Sequence, residues 1–144
     1  MNLTQKLCVS LAALLLSLPA FAIDFPGITE TRTAPGRFSL IEKGLPAAVV
    51  TDPADASGVL IAAETLREDF ARVCGKKAPA AGRRAILAGT PGSALVRELV
   101  AKGLVDISPL QGEYESYLIQ TLGDAVPGYD DALVIVGADM RGTI

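Results

Sequence analysis

Histidine and tryptophan are absent from this sequence, and cysteine occurs only twice. Without histidine, imidazole metal ligands and Ser-His or Cys-His catalysis are excluded within these residues. Aromatics make up 5% of the chain, so there are few of the flat side chains on which sugars stack. Cys8 lies in an apolar N-terminal segment, which leaves Cys74 without a partner for an internal disulfide. Beside Val73 at the end of a helical pattern, Cys74 reads as a small buried hydrophobe, since no base for a catalytic thiol is at hand. Basic residues are also few, 13 Lys and Arg against 16 Asp and Glu. Neither nucleic acid nor an anionic membrane surface is an expected partner.

What is present is globular, with 50% apolar and 20% charged residues, a composition suited to one modest domain. The first segment stands apart from it. Lys6, the apolar stretch Leu7 to Leu18 and the small-x-small triplet Ala20-Phe21-Ala22 predict a signal peptide over residues 1–22, cleaved after Ala22. That apolar stretch is shorter than the roughly 20 residues a spanning helix needs. The expected location is periplasmic or secreted, with no membrane contact after cleavage. Removal of Lys6 leaves 12 basic against 16 acidic residues, a net charge of −4.

Residues 23–36 carry Thr, Pro and Gly without an apolar period and predict a linker. The domain proper is expected over residues 37–144. "RFSLIEKG" and "AAVVTD" suggest two short strands around the turn Gly44-Leu45-Pro46. In "SGVLIAAETLREDFARVCG", Val59, Ala62, Ala63, Leu66, Phe70 and Val73 recur at helical spacing, with Ser57 as expected N-cap and Gly75 just past the end. "RRAILAG" predicts a buried strand. "TPGSALVRELVAKG" predicts a second helix, capped by Thr90, with Pro91 first inside, Gly103 beyond, and Leu95, Val96, Leu99 and Val100 facing inward. "YESYLIQTL" alternates like a strand with two unlike faces, and "ALVIVGAD" is apolar enough for a central strand. The fold class is therefore α/β (α+β): a mixed sheet covered by two helices in the order β-β-α-β-α-β-β.

Chemistry-bearing residues are sparse. "AGTPGS" is a strand-to-helix turn of the kind that binds anions through free amides. It lacks the lysine of a phosphate-binding loop and reads as a capped turn. Glu113 and Glu115 share a face on an extended chain but read as a solvated rim rather than an acid/base pair. Asp124, Asp130 and Asp131 offer oxygen ligands for calcium, with a polar loop as the simpler reading. Asp139, Arg141 and Gly142 follow the most apolar strand. An Asp there can hold an Arg through charge-assisted bonds while the glycine allows close backbone approach. The alternatives are an Arg aimed at an anionic sugar and a structural clamp at a domain edge, of which the clamp is preferred. No catalytic, cofactor-binding or metal-binding residue is assigned.

The segment "ALVIVGADMRGTI" resembles the end of the N-terminal domain of glycoside hydrolase family 115, the xylan α-1,2-glucuronidases. Similar pieces occur in order upstream: "GVLIAAETLREDFARVCGKKA", "ILAGTPGS" and "LQGEYESYLIQ", so the likeness runs over about Phe38 to Ile144. Tyr114 stands where the family often has Trp, and Met140 where it often has Lys. The resemblance implies an enzyme that removes glucuronic acid or its 4-O-methyl form from xylan with inversion, using two carboxylates about 6.5–9.5 Å apart. Those lie in a C-terminal catalytic barrel. This chain is then expected to be the N-terminal accessory domain, truncated before the barrel, non-catalytic, and marginally stable because its barrel-facing surface is open. The missing barrel and, for the parent enzyme, a xylan-type polysaccharide are the implied partners. Two alternatives stand beside it: a free-standing periplasmic module that binds carbohydrate or protein, and the equivalent domain of a hexosaminidase-like glycosidase.

Overall fold

A computed structural model describes residues 36–144. The signal peptide expected over residues 1–22, with its cleavage site after Ala22, and the expected linker up to Pro35 lie outside the described residues. The elements run β1 (Ile41–Glu42), β2 (Leu45–Pro46), β3 (Ala48–Val50), α1 (Ser57–Cys74), β4 (Arg84–Gly89), α2 (Ala94–Ala101), β5 (Tyr117–Thr121), β6 (Asp131–Gly137) and α3 (Met140–Thr143). Single 3-10 turns at Ser108–Leu110 and Gly123–Ala125 flank β5. This is an α+β fold with a mixed sheet.

The main sheet has the order β3-β4-β6-β5. β3, β4 and β6 are parallel, and β5 is antiparallel to β6. As its continuous apolar run suggests, β6 is central, and β4 beside it is almost wholly buried. Strand alternation sorts the core into two layers. Ala85, Leu87, Ala132, Val134 and Val136 meet Val96 and Leu99 of α2, together with Val105, Leu110 and Val126. Val49 and Ile86 face the opposite way and meet Ala63 and Phe70 of α1. The two predicted helices thus cover opposite faces, an outcome that period-2 burial of β4 permits because neither face is left polar.

Several local expectations are corrected. The first predicted strand is a small hairpin instead, turning at Lys43-Gly44, both with positive φ (50° and 71°), rather than at Gly44-Leu45-Pro46. Positive φ at both central residues matches the right-handed twist of the flanking strands. Ser57 is the first residue of α1, whose cap position is Ala56, and no side chain caps it. Gly75 closes the helix in the left-handed conformation, its amide bonded to the Ala71 carbonyl. Val73 is 77% exposed rather than inward. The inward stripe of α1 runs through Val59, Ala63, Leu66 and Phe70, and Val73 falls past its edge. In α2 the N-cap is Ser93, not Thr90, and its hydroxyl accepts the Val96 amide at 3.2 Å. Thr90 to Ser93 is a turn closed by a bond from the Ser93 amide to the Thr90 carbonyl. No helix among the described residues is long and apolar enough to cross a membrane.

Candidate functional site

At the C-terminal ends of β3 and β4, where open α/β sheets commonly hold ligands, two carboxylates from the loop after β3 reach across to the turn before α2. Asp55 accepts the Thr90 amide at 2.9 Å, the Thr90 hydroxyl at 2.7 Å and the Ala56 amide at 2.7 Å. Asp52 accepts the Ala94 amide at 2.6 Å and the Ala54 amide at 2.9 Å. These amide donors, Ala54 foremost and then Ala94, hold the Asp52 carboxyl below its usual range. The "AGTPGS" turn therefore presents its amides to the protein's own carboxylates, which satisfy the helix N-terminus as a bound anion would. Sequence reasoning assigned no role to Asp52 or Asp55. The spacing Asp52-Pro53-Ala54-Asp55 directly before a helix was the available signal.

The end of β6 is a second knot. Asp139 caps α3 by accepting the Gly142 amide at 2.8 Å, and its other oxygen accepts the Glu115 amide at 3.2 Å. Those bonds, Gly142 first, hold its carboxyl below the ordinary range. Arg141 donates to Glu115 at 2.8 Å across 26 residues of sequence, in place of the expected bond to Asp139. Both members of this pair are largely exposed. Glu115 itself has φ of 54°, which costs a non-glycine residue energy, so Glu113 and Glu115 do not lie on an extended chain. Gly142 packs on the carbonyl of Ser116, and Gly137 on the backbone of Gly142 and Thr143; a Cβ on either would approach backbone closer than 3.0 Å. The Ser116 carbonyl also accepts the Ala138 amide at 2.8 Å. The Ser116 hydroxyl is buried without a partner.

The other candidates are dispersed. Both Asp130 oxygens are held by Arg83, which keeps that carboxyl low. Asp131 begins β6 and is pushed upward by burial. Asp124 sits in a separate exposed turn. Among the described residues no three carboxylate or Cys side chains gather to hold a metal ion. Cys74 is half-buried, its thiol donating to the Phe70 carbonyl at 3.0 Å. Arg84, another residue missed in the sequence, ties the β1–β2 hairpin to the sheet through Glu42 and the Leu45 carbonyl, while its Nε is buried without a partner.

Among the described residues, one sheet face is only half covered. α1 packs on β3 and β4, whereas on the same side of β6 and β5 Leu133 and Ile135 are partly covered and Ile119 and Tyr117 are 54% and 64% exposed. Tyr114, just upstream, is 86% exposed. Met140 of α3 borders this area, its sulfur against Gly58 of α1. Neither the protein-family models nor the curated proteins compared with this chain match it.

Proposed function

We propose that this chain is the exported, non-catalytic N-terminal accessory domain of a glycosidase that removes glucuronic acid or 4-O-methylglucuronic acid from xylan. The observation that carries the reading is the half-covered face of β5 and β6. It bears Tyr117 and Ile119 well exposed beside the Asp139-Arg141-Gly142 knot, and an apolar area of this kind suits contact with a second domain. The knot supports it further, because Gly137 and Gly142 leave no room for side chains there. A tightly packed turn at the end of a central strand is a firm point of contact for a neighbouring domain. In this reading the domain's work is mechanical. It shields an apolar flank of the catalytic barrel and contributes no acid or base.

The test is release of glucuronic acid from glucuronoxylan by the chain alone and by the same chain in frame with the polypeptide encoded downstream of it. Release by the longer form only is the expected result. Absence of release from both refutes the glucuronidase assignment.

A second reading, a free-standing carbohydrate-binding module, draws on the exposure of Tyr114 and Tyr117, since exposed aromatic rings are what sugars stack on. Retardation of the chain alone in gels containing soluble xylan, abolished by Tyr114→Ala with Tyr117→Ala, favours this module over the accessory domain.

A further inference from the structure

The two edges of the main sheet are finished differently. On β3 the Val49 amide donates to the Pro79 carbonyl at 2.9 Å, and the Val49 carbonyl accepts Arg67 Nη2 at 2.7 Å and Nε at 3.2 Å. That edge is closed. On β5 the Ser116 carbonyl accepts from Ala138 and the Leu122 amide donates to Ala132. With the register Leu118 to Val136 and Gln120 to Val134, the even-numbered residues spend their main-chain groups on β6. The amides and carbonyls of Tyr117, Ile119 and Thr121 therefore point away from the sheet, and all three residues are exposed. No main-chain hydrogen bond reaches them from that side among the described residues. The strand reads Tyr-Leu-Ile-Gln-Thr, with no charge, proline or glycine, so neither a charged side chain nor a proline on the strand discourages edge pairing.

We propose that the outer edge of β5 is a strand-addition site whose occupant is β5 of a second copy of this chain. The free groups are self-complementary. A two-fold axis at Ile119 sets it opposite the partner's Ile119, and sets Tyr117 opposite the partner's Thr121. Each opposed pair exchanges two N–H···O bonds. The result is one continuous sheet of eight strands, twice the observed four, within the range that open sheets reach. Side chains of Tyr117 and Ile119 from both copies then lie on one face as cross-strand neighbours. Face-to-face stacking of the uncovered areas is the poorer arrangement, because the outward side of α1 carries the Glu64, Glu68 and Lys77 ion-pair network, which a partner would bury.

Sedimentation velocity and amide hydrogen exchange on the full chain test the pairing. The expected result is a concentration-dependent doubling of mass, with exchange at Tyr117, Ile119 and Thr121 slowed by roughly tenfold or more as the dimer forms. Thr121→Pro removes an outward N–H and no rung of the β5–β6 ladder, so it leaves the fold intact and returns a monomer. Ile119→Lys, which sets two like charges opposite each other, gives the same result through the side chain. A chain that stays monomeric at high micromolar concentration overturns the proposal. So does a dimer that survives both substitutions, or assembly that continues past two copies, since a two-fold pairing uses up the edge.

Discussion

Gly142→Ala separates two effects of opposite sign. Gly142 lies in α3, and its φ is outside the left-handed range, so alanine fits the backbone and by helix propensity alone gains about 1 kcal/mol. Against that, the new Cβ meets the carbonyl of Ser116, with the Ser116 and Glu115 carbonyl carbons at 3.1 and 3.2 Å. These are backbone atoms, and the Ser116 oxygen already accepts the Ala138 amide at the end of the β5–β6 ladder. Relief requires α3 to lift from β5. Overpacking costs about 1–3 kcal/mol, and a weakened hydrogen bond adds about 1 kcal/mol. After subtraction of the propensity gain, the expected loss is roughly 1–3 kcal/mol. Urea unfolding of parent and variant, read as the midpoint shift at unchanged slope, measures it. A variant as stable as the parent, or more so, would refute the steric account of this knot.

Substitutions at four further positions probe the remaining supports. Asp55→Ala strands the Thr90 amide and hydroxyl, and a loss of about 1–3 kcal/mol is expected in the same unfolding assay, whereas Asp55→Asn keeps an acceptor and loses less. Arg67→Ala removes the two-pronged donor on the Val49 carbonyl; about 1.5–3 kcal/mol should go with it, and Arg67→Lys should recover only part because one ammonium cannot supply the fork. The last pair concerns pH. Asp139 is held low by the Gly142 and Glu115 amides, so its stabilisation is complete above the unfolded value of about 3.9 and is lost as pH falls through the folded one. Asp139→Asn should accordingly lower the thermal midpoint near neutrality and flatten its decline in acid. Asp131, raised by burial, has the opposite sense, stabilising below the unfolded value and losing that contribution as pH rises through the folded one. Asp131→Asn should be more stable than the parent near pH 7 and converge with it below about pH 4.

The parts of the fold legible in the sequence are those set by local periodicity. β6 and β4 are apolar runs, and the inward residues of α2 follow from spacing, as do most of those of α1, because burial of a stripe dictates both. What escaped was set by distant partners. Ser57 and Thr90 look like caps in their own windows, yet the α2 turn is closed by Asp52 and Asp55 from a loop about 40 residues earlier. Arg141 has an acid two residues away and pairs with one 26 residues away. The placement of the helices on opposite faces was equally hidden, since an apolar strand buried on both sides does not reveal which helix lies where.

The position of β6 has a consequence for how the chain acquires its structure. β4 and β5 share no ladder; β6 occupies the slot between them and follows both in sequence. Until residues 131–137 have left the ribosome, β5 has no strand to pair with and β4 has only the short β3. Most of the sheet's pairing energy therefore arrives in one late event that closes long loops, which slows folding relative to a fold built from local contacts. The nascent polypeptide keeps its sheet incomplete until β6 has emerged, and a premature stop upstream of Asp131 would leave the β3–β4 pair without the strand that joins it to β5.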